Sequence, residues 1–143
     1  MNNRRCHGET IACHDCGPRL LAKMRGSPSA GPWSREELLQ SAKDLLLHGE
    51  IIMMKSVGGY NLVCRGDRDD AVQRLRILKQ RRDKPFALLV ATVGEAEKLC
   101  HISREEKELL ESPQKPIVLL KRRRGSMPLI SPAVTELTES LGV

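Results

Sequence analysis

The feature that most constrains this chain is an alternation of short apolar runs with helices that announce their own starts. SREELLQSAKDLLLHGE places Ser34 three residues before Glu37, a capping box, and its Leu38, Leu39, Ala42, Leu45 and Leu46 share a helical face before Gly49 ends it. DRDDAVQRLRILKQRR carries aspartates in its first turn and bases in its last, with Ala71, Val72, Leu75 and Leu78 at helical spacing and an end near Lys79. TVGEAEKLC and SREEKELLES each begin with a hydroxyl residue three positions ahead of a glutamate. Between them stand IIMMK, YNLVC, FALLV and PIVLLK, of strand length. IIMMK and FALLV read as strands buried on both faces, and Gly58-Gly59 as the turn joining IIMMK to YNLVC. Alternating strands and helices predict an α/β fold with a mixed sheet. ISPAVTELTESLGV adds a loop and a short helix.

Residues 1–33 differ from the rest. They are polar, rich in Gly and Pro and without periodicity, so they predict a metal-dependent appendage and linker, with the folded domain beginning at Ser34 and running from 34 to 143. The 143 residues include only three aromatics, Trp33, Tyr60 and Phe86, so the core is aliphatic and a base-stacking platform would be thin. A net charge of +6 favours anionic partners. The longest apolar runs fall far short of the roughly 20 residues that span a bilayer. Five cysteines, two in a CxxC, with no N-terminal apolar run, point to a reducing cytoplasm.

Three stretches could carry chemistry. In CHDCGPRL, Cys13 and Cys16 can grip one tetrahedral metal through a tight turn. Gly17-Pro18 blocks the helix that a redox CxxC needs, which favours zinc; ordinary thiols remain the alternative. Four ligands are usual and no second CxxC exists, although Cys6, His7 and His14 are nearby. In KSVGGYNLVC, Lys55 ends a strand and glycines follow, an arrangement that lets backbone amides approach a phosphate; a plain hairpin turn with an exposed lysine is the other reading. In LKQRRDKPFALL and the two residues before it, five bases at 76, 79, 81, 82 and 84 precede Phe86. If Lys79, Gln80 and Arg81 leave the helix extended, the heads of Lys79 and Arg81 project to one side and suit a polyphosphate, and Pro85 biases Lys84 away from helix. The competing reading is a solvated basic helix end. KRRRGS at 121–126 reads as an exposed loop, and His48 and His101 have no partners in sequence.

RRCHGETIACHDCGPRL, GEIIMMKSVGGYNLVCRGDRDDAVQRLRILKQRRDKPFALLV and SPQKPIVLLKRR together resemble the HypF carbamoyltransferases of NiFe-hydrogenase maturation, over nearly the whole chain. The resemblance implies the end of a zinc-finger region, then the first part of a YrdC-like domain, a twisted mixed sheet with flanking helices. It implies ATP with Mg2+ and carbamoyl phosphate or carbamate as reactants, a carbamoyl-adenylate as product, pyrophosphate release, and later transfer to the C-terminal cysteine of HypE.

Lys79 and Arg81 match the family's KxR, for which the implied role is catalytic. Lys84-Pro85-Phe86 match the following KPF, and Lys55, Gly58, Gly59 and Tyr60 match KGxGGY, all on the nucleotide; Cys13 and Cys16 match the zinc ligands. The chain departs from the pattern at Arg82, where proline is usual, at Cys6, where an aromatic is usual, and at Ser56, where glycine is usual. The later SxN is missing, SPA at 131–133 does not fit it, and the flanking domains are absent, so the sequence reads as a fragment. A YrdC-like module binding nucleotide or double-stranded RNA without catalysis is the rival class. Threonylcarbamoyl-AMP synthesis is a further one, disfavoured because those enzymes lack CxxCGPRL.

Overall fold

A computed structural model describes residues 20–23, 33–56, 59–125, 129–135 and 138–143. Its elements run α1 (Arg35–Leu47), β1 (Ile52–Ser56), β2 (Gly59–Val63), α2 (Asp69–Lys79), α3 (Val93–Leu99), β3 (Cys100–His101), α4 (Arg104–Glu111), β4 (Leu119–Arg122), a turn of 3-10 helix at Pro132–Val134, and β5 (Ser140–Gly142). The chain forms two compact units: α1 with β1 and β2 lie in one, and Gly49–Ile51 with Cys64–Val143 make the other.

In the first unit, Ser34 and Glu37 form the reciprocal capping box that the sequence predicts: the Glu37 amide donates to Ser34 Oγ at 3.2 Å and the Ser34 amide to Glu37 Oε2 at 2.7 Å. Two otherwise orphaned helix-start donors are thereby satisfied. β1 and β2 pair antiparallel in the register Ser56 to Gly59 and Ile52 to Val63, so strand, turn and strand follow as expected. The burial expected of IIMMK does not: Met53 and Met54 are exposed, because β1 belongs to a two-stranded hairpin and not to the middle of a parallel sheet.

The second unit holds the larger core. Val72 of α2, Leu99 and Cys100 at the α3–β3 junction, Leu120 of β4, Leu141 of β5, and Ile130, Ala133 and Val134 around the 3-10 turn pack together, with Phe86, Leu88 and Val90 against them. β4 is central, antiparallel to β3 on one side and to β5 on the other. A parallel bridge from Ala87 to Gly142, with the Leu88 amide donating to the Gly142 carbonyl at 2.7 Å, makes the assembly mixed. FALLV contributes this bridge and no longer strand, and Leu89 is 90 % exposed. An apolar run marks burial of its alternate residues here, not of all five. The α/β class holds.

α2 departs from its expected face. Ala71, Val72, Leu75 and Arg76 are its buried residues, whereas Leu78 is exposed. Arg76 follows Val72 by one helical turn and so lies on the buried stripe, where a leucine would be expected.

Candidate functional site

The basic segment after α2 is built around that buried arginine. α2 stays helical through Lys79 and Gln80 turns left-handed at φ 49°. The Gln80 amide then donates to the Ile77 carbonyl at 3.1 Å and the Arg81 amide to the Arg76 carbonyl at 3.0 Å. This two-bond helix end satisfies carbonyls that would otherwise be orphaned, and it replaces the extended Lys79-Gln80-Arg81 run expected from sequence.

The loop that follows closes on the Arg76 guanidinium. Nη1 donates to the carbonyls of Arg81 at 3.0 Å, Arg82 at 3.2 Å and Lys84 at 3.4 Å, while Nε donates to Ala133 at 2.5 Å and Nη2 to Val134 at 3.3 Å. A planar fork with several fixed donors can gather carbonyls in this way, and a lysine cannot. The Phe86 ring lies against both Arg76 and Arg81, with centroid distances of 4.9 and 5.0 Å, and its amide donates to the Val134 carbonyl. Arg81 is therefore half-buried and held by an aromatic face, a contact worth about 0.5–2 kcal/mol according to its solvation. Lys79 and Lys84 are exposed, and among the described residues neither ammonium has a hydrogen-bond or ion-pair partner. The extended run that would put the heads of Lys79 and Arg81 on one side is thus not formed; what the segment offers an anion is one guanidinium held against a ring and two ammonium groups with no partner among the described residues.

Lys55 sits in the other unit. It lies opposite Tyr60 in the hairpin, its Nζ 5.7 Å from the ring centroid, and both side chains are exposed. Gly59 adopts φ 117°, where a side chain would be strained. Gly58 is outside the described residues. So are Cys13 and Cys16, with Cys6, His7 and His14. Among the described residues no three His, Cys, Asp or Glu side chains gather to hold a metal.

Sequence reasoning passes over several anchoring residues. Ser131 is buried; its hydroxyl donates to Asp69 Oδ1 in the first turn of α2 and accepts from the Ala133 amide at 3.1 Å. In KRRR, Lys121, Arg123 and Arg124 are exposed and Arg122 is half-buried; Arg122 donates to the Ile130 carbonyl at 3.0 Å, Arg123 to the Cys100 carbonyl at 2.9 Å, and Arg124 faces Glu139 at 3.5 Å. For Arg76 the one available signal is its place on the Val72–Leu75 stripe.

Comparison with known proteins adds the following. Residues 44–143 match the Sua5/YciO/YrdC family, described as telomere recombination, and residues 1–21 match the HypF finger. The chain is 38 % identical over 136 residues to the carbamoyltransferase HypF of Rhodobacter capsulatus, covering 94 % of this chain and 18 % of that protein. It is 45 % identical over 80 residues to HypF2 of Cupriavidus necator, covering 56 % of this chain and 10 % of that one. Among solved structures, full-length HypF in its phosphate- and nucleotide-bound form superposes with a TM-score of 0.74 at 34 % identity, covering 99 % of this chain and 18 % of that one. HypF of T. kodakarensis gives 0.72 at 25 % identity, covering 80 % and 15 %.

Proposed function

We propose, for a chain that belongs to the Sua5/YciO/YrdC family in the form found in HypF carbamoyltransferases, that it handles the nucleotide in ATP-dependent carbamoyl adenylation. The observation that carries the reading is the Arg81–Lys84 loop, wrapped around one buried guanidinium at the end of α2, with the ammonium groups of Lys79 and Lys84 without partners among the described residues. The similar full-length HypF was solved with phosphate and nucleotide bound, which supports the same ligand class.

In this reaction the carbamate oxygen attacks the α-phosphorus of ATP, the bridging α–β P–O bond breaks, and pyrophosphate leaves. Lys79 and Arg81 bind the phosphates and offset the negative charge that builds on the leaving group, a role in which cations already in place need no reorganisation. Lys84 adds to the same field. For Lys55, Gly58, Gly59 and Tyr60 the proposed part is substrate contact, as their match to KGxGGY implies, and positioning and charge supply the catalysis without a side-chain nucleophile. Mg2+ bound with ATP would supply further shielding of the phosphate charge. Cys13 and Cys16 would hold zinc in the finger. The carbamoyl group passes on to the C-terminal cysteine of HypE in the cytoplasm, which requires regions beyond the 18 % of HypF that this chain spans.

The test is ATP–pyrophosphate exchange dependent on carbamoyl phosphate, in a complete HypF protein bearing this segment. Lys79→Ala and Arg81→Ala should each lower exchange by about 100-fold or more, as loss of one transition-state donor does elsewhere. Unchanged exchange in both variants would sink the assignment.

A further inference from the structure

No exposed lysine explains why the loop from Arg81 to Lys84 has one conformation. Its main chain carries no regular hydrogen-bond ladder, and the residue at its start, Gln80, occupies a left-handed conformation that non-glycine residues seldom adopt. What the loop does have is a common centre: the carbonyls of Arg81, Arg82 and Lys84 all accept from Arg76, which is only 5 % exposed. The same guanidinium is fixed from the far side by Ala133 and Val134, 57 and 58 residues away in sequence. Phe86 then stands against Arg76 and against Arg81, so the second guanidinium is referenced to the first through one ring.

We infer that Arg76 is a positioning residue for the anion site: its guanidinium sets the path of residues 81–84 and thereby the places from which Arg81 and Lys84 meet a bound polyphosphate. The inference rests on the nucleotide reading above and deepens it. Arg76 need not touch the ligand. Its donors are turned to protein carbonyls, and it acts through the loop it gathers. Lysine keeps the charge but loses the fork, so Arg76→Lys separates geometry from electrostatics.

The experiment is calorimetric titration of a complete HypF protein bearing this segment with MgATP, with inorganic pyrophosphate as competitor. Arg76→Lys, Lys79→Ala and Arg81→Ala are compared with Val72→Ala, a core variant one turn away that is outside the anion site. Amide hydrogen exchange at residues 81–86 is followed in the same proteins. Arg76→Lys should weaken MgATP and pyrophosphate about tenfold, in keeping with the loss of oriented charge-assisted bonds, and speed exchange at 81–86. Val72→Ala, on the same buried stripe, should lose stability yet keep its affinity within about twofold and its 81–86 protection, because it removes apolar packing and leaves every Arg76 donor and its loop carbonyls in place.

Wild-type affinity in Arg76→Lys, with a loss in Lys79→Ala or Arg81→Ala, overturns the inference and leaves the nucleotide reading standing. Equal losses of affinity in Arg76→Lys and Val72→Ala overturn it too, since general loosening then accounts for both. Absence of binding by the wild type, or no response at Lys79 and Arg81, overturns the nucleotide reading and the inference together. Should Arg76→Lys not fold, Phe86→Leu removes the ring between the two guanidinium groups: weaker MgATP binding supports the inference, and unchanged binding refutes it.

Discussion

Replacing Ser131 by alanine breaks two bonds with different fates. The hydroxyl's hydrogen bond to Asp69 Oδ1 ends at a residue that is exposed, so water can take the hydroxyl's place, and the loss lies at the low end of the range for charged partners, about 1.5 kcal/mol. The Ala133 amide is buried and loses the acceptor that capped the 3-10 turn, for about another 1 kcal/mol. Ser131→Ala should therefore cost about 2–3 kcal/mol, which in a folded unit of this size lowers Tm by about 10–20 °C. Urea unfolding of Ser131→Ala, Asp69→Ala and the double variant closes a cycle. The expected coupling is about 1 kcal/mol, because the two side chains are direct partners. Additivity within about 0.3 kcal/mol would mean that the Ser131–Asp69 bond does not form in solution, and the cap alone would remain.

Asp67 accepts two hydrogen bonds from the Arg65 guanidinium, which hold its carboxyl below the ordinary carboxylate range. A depressed native value stabilises the fold above the ordinary value near 3.8, and that contribution is lost as pH falls through the lower native one. Urea midpoints of the wild type should therefore fall between pH 5 and 3 more steeply than those of Asp67→Asn; parallel slopes would contradict the bond. Cys64 and Cys100 are free thiols raised above their usual pKa, in both cases chiefly by burial. In a variant with Cys6, Cys13 and Cys16 changed to serine, buried Cys100 should react with an aromatic disulfide reagent at pH 8 only after denaturant is added, and half-buried Cys64 should react ahead of it. Immediate reaction of both would show that the core is open.

What can be read from sequence is local. Ser34 with Glu37 and Ser103 with Glu106 are capping boxes whose partners lie three residues apart, and both helices begin where those residues place them. Sequence also puts Lys79, Arg81 and Lys84 in one segment; the structure ends α2 at Lys79 and gathers Arg81 and Lys84 in the loop after it, and it adds a Lys55–Tyr60 cross-strand pair that sequence does not indicate. The internal support is hidden. Arg76 reads as one more base in a charged run, because the carbonyls that make its burial tolerable come from a loop of unexpected shape and from residues more than 50 positions away. Spacing alone puts Leu78 in the core, and length alone puts IIMMK there. In both cases the deciding fact is which neighbour covers the element, and that is a tertiary property.

The hydrogen bonds at the end of β5 also bear on how this unit comes together during synthesis. The Val143 amide and carbonyl pair with those of Val118, while on the opposite side Gly142 receives the Leu88 amide. Residues 86–88 and 117–121 are thus joined through a strand made some 20 to 55 positions later, and until residues 140–143 leave the ribosome both edges lack their partner. Helices α2, α3 and α4 can form as they emerge, but Leu120 cannot be enclosed before Leu141 arrives. Closure of the unit is a late, single event, and nascent chains arrested at residue 130 should stay open to protease at residues 86–90, which chains carrying residues 140–143 outside the ribosome protect.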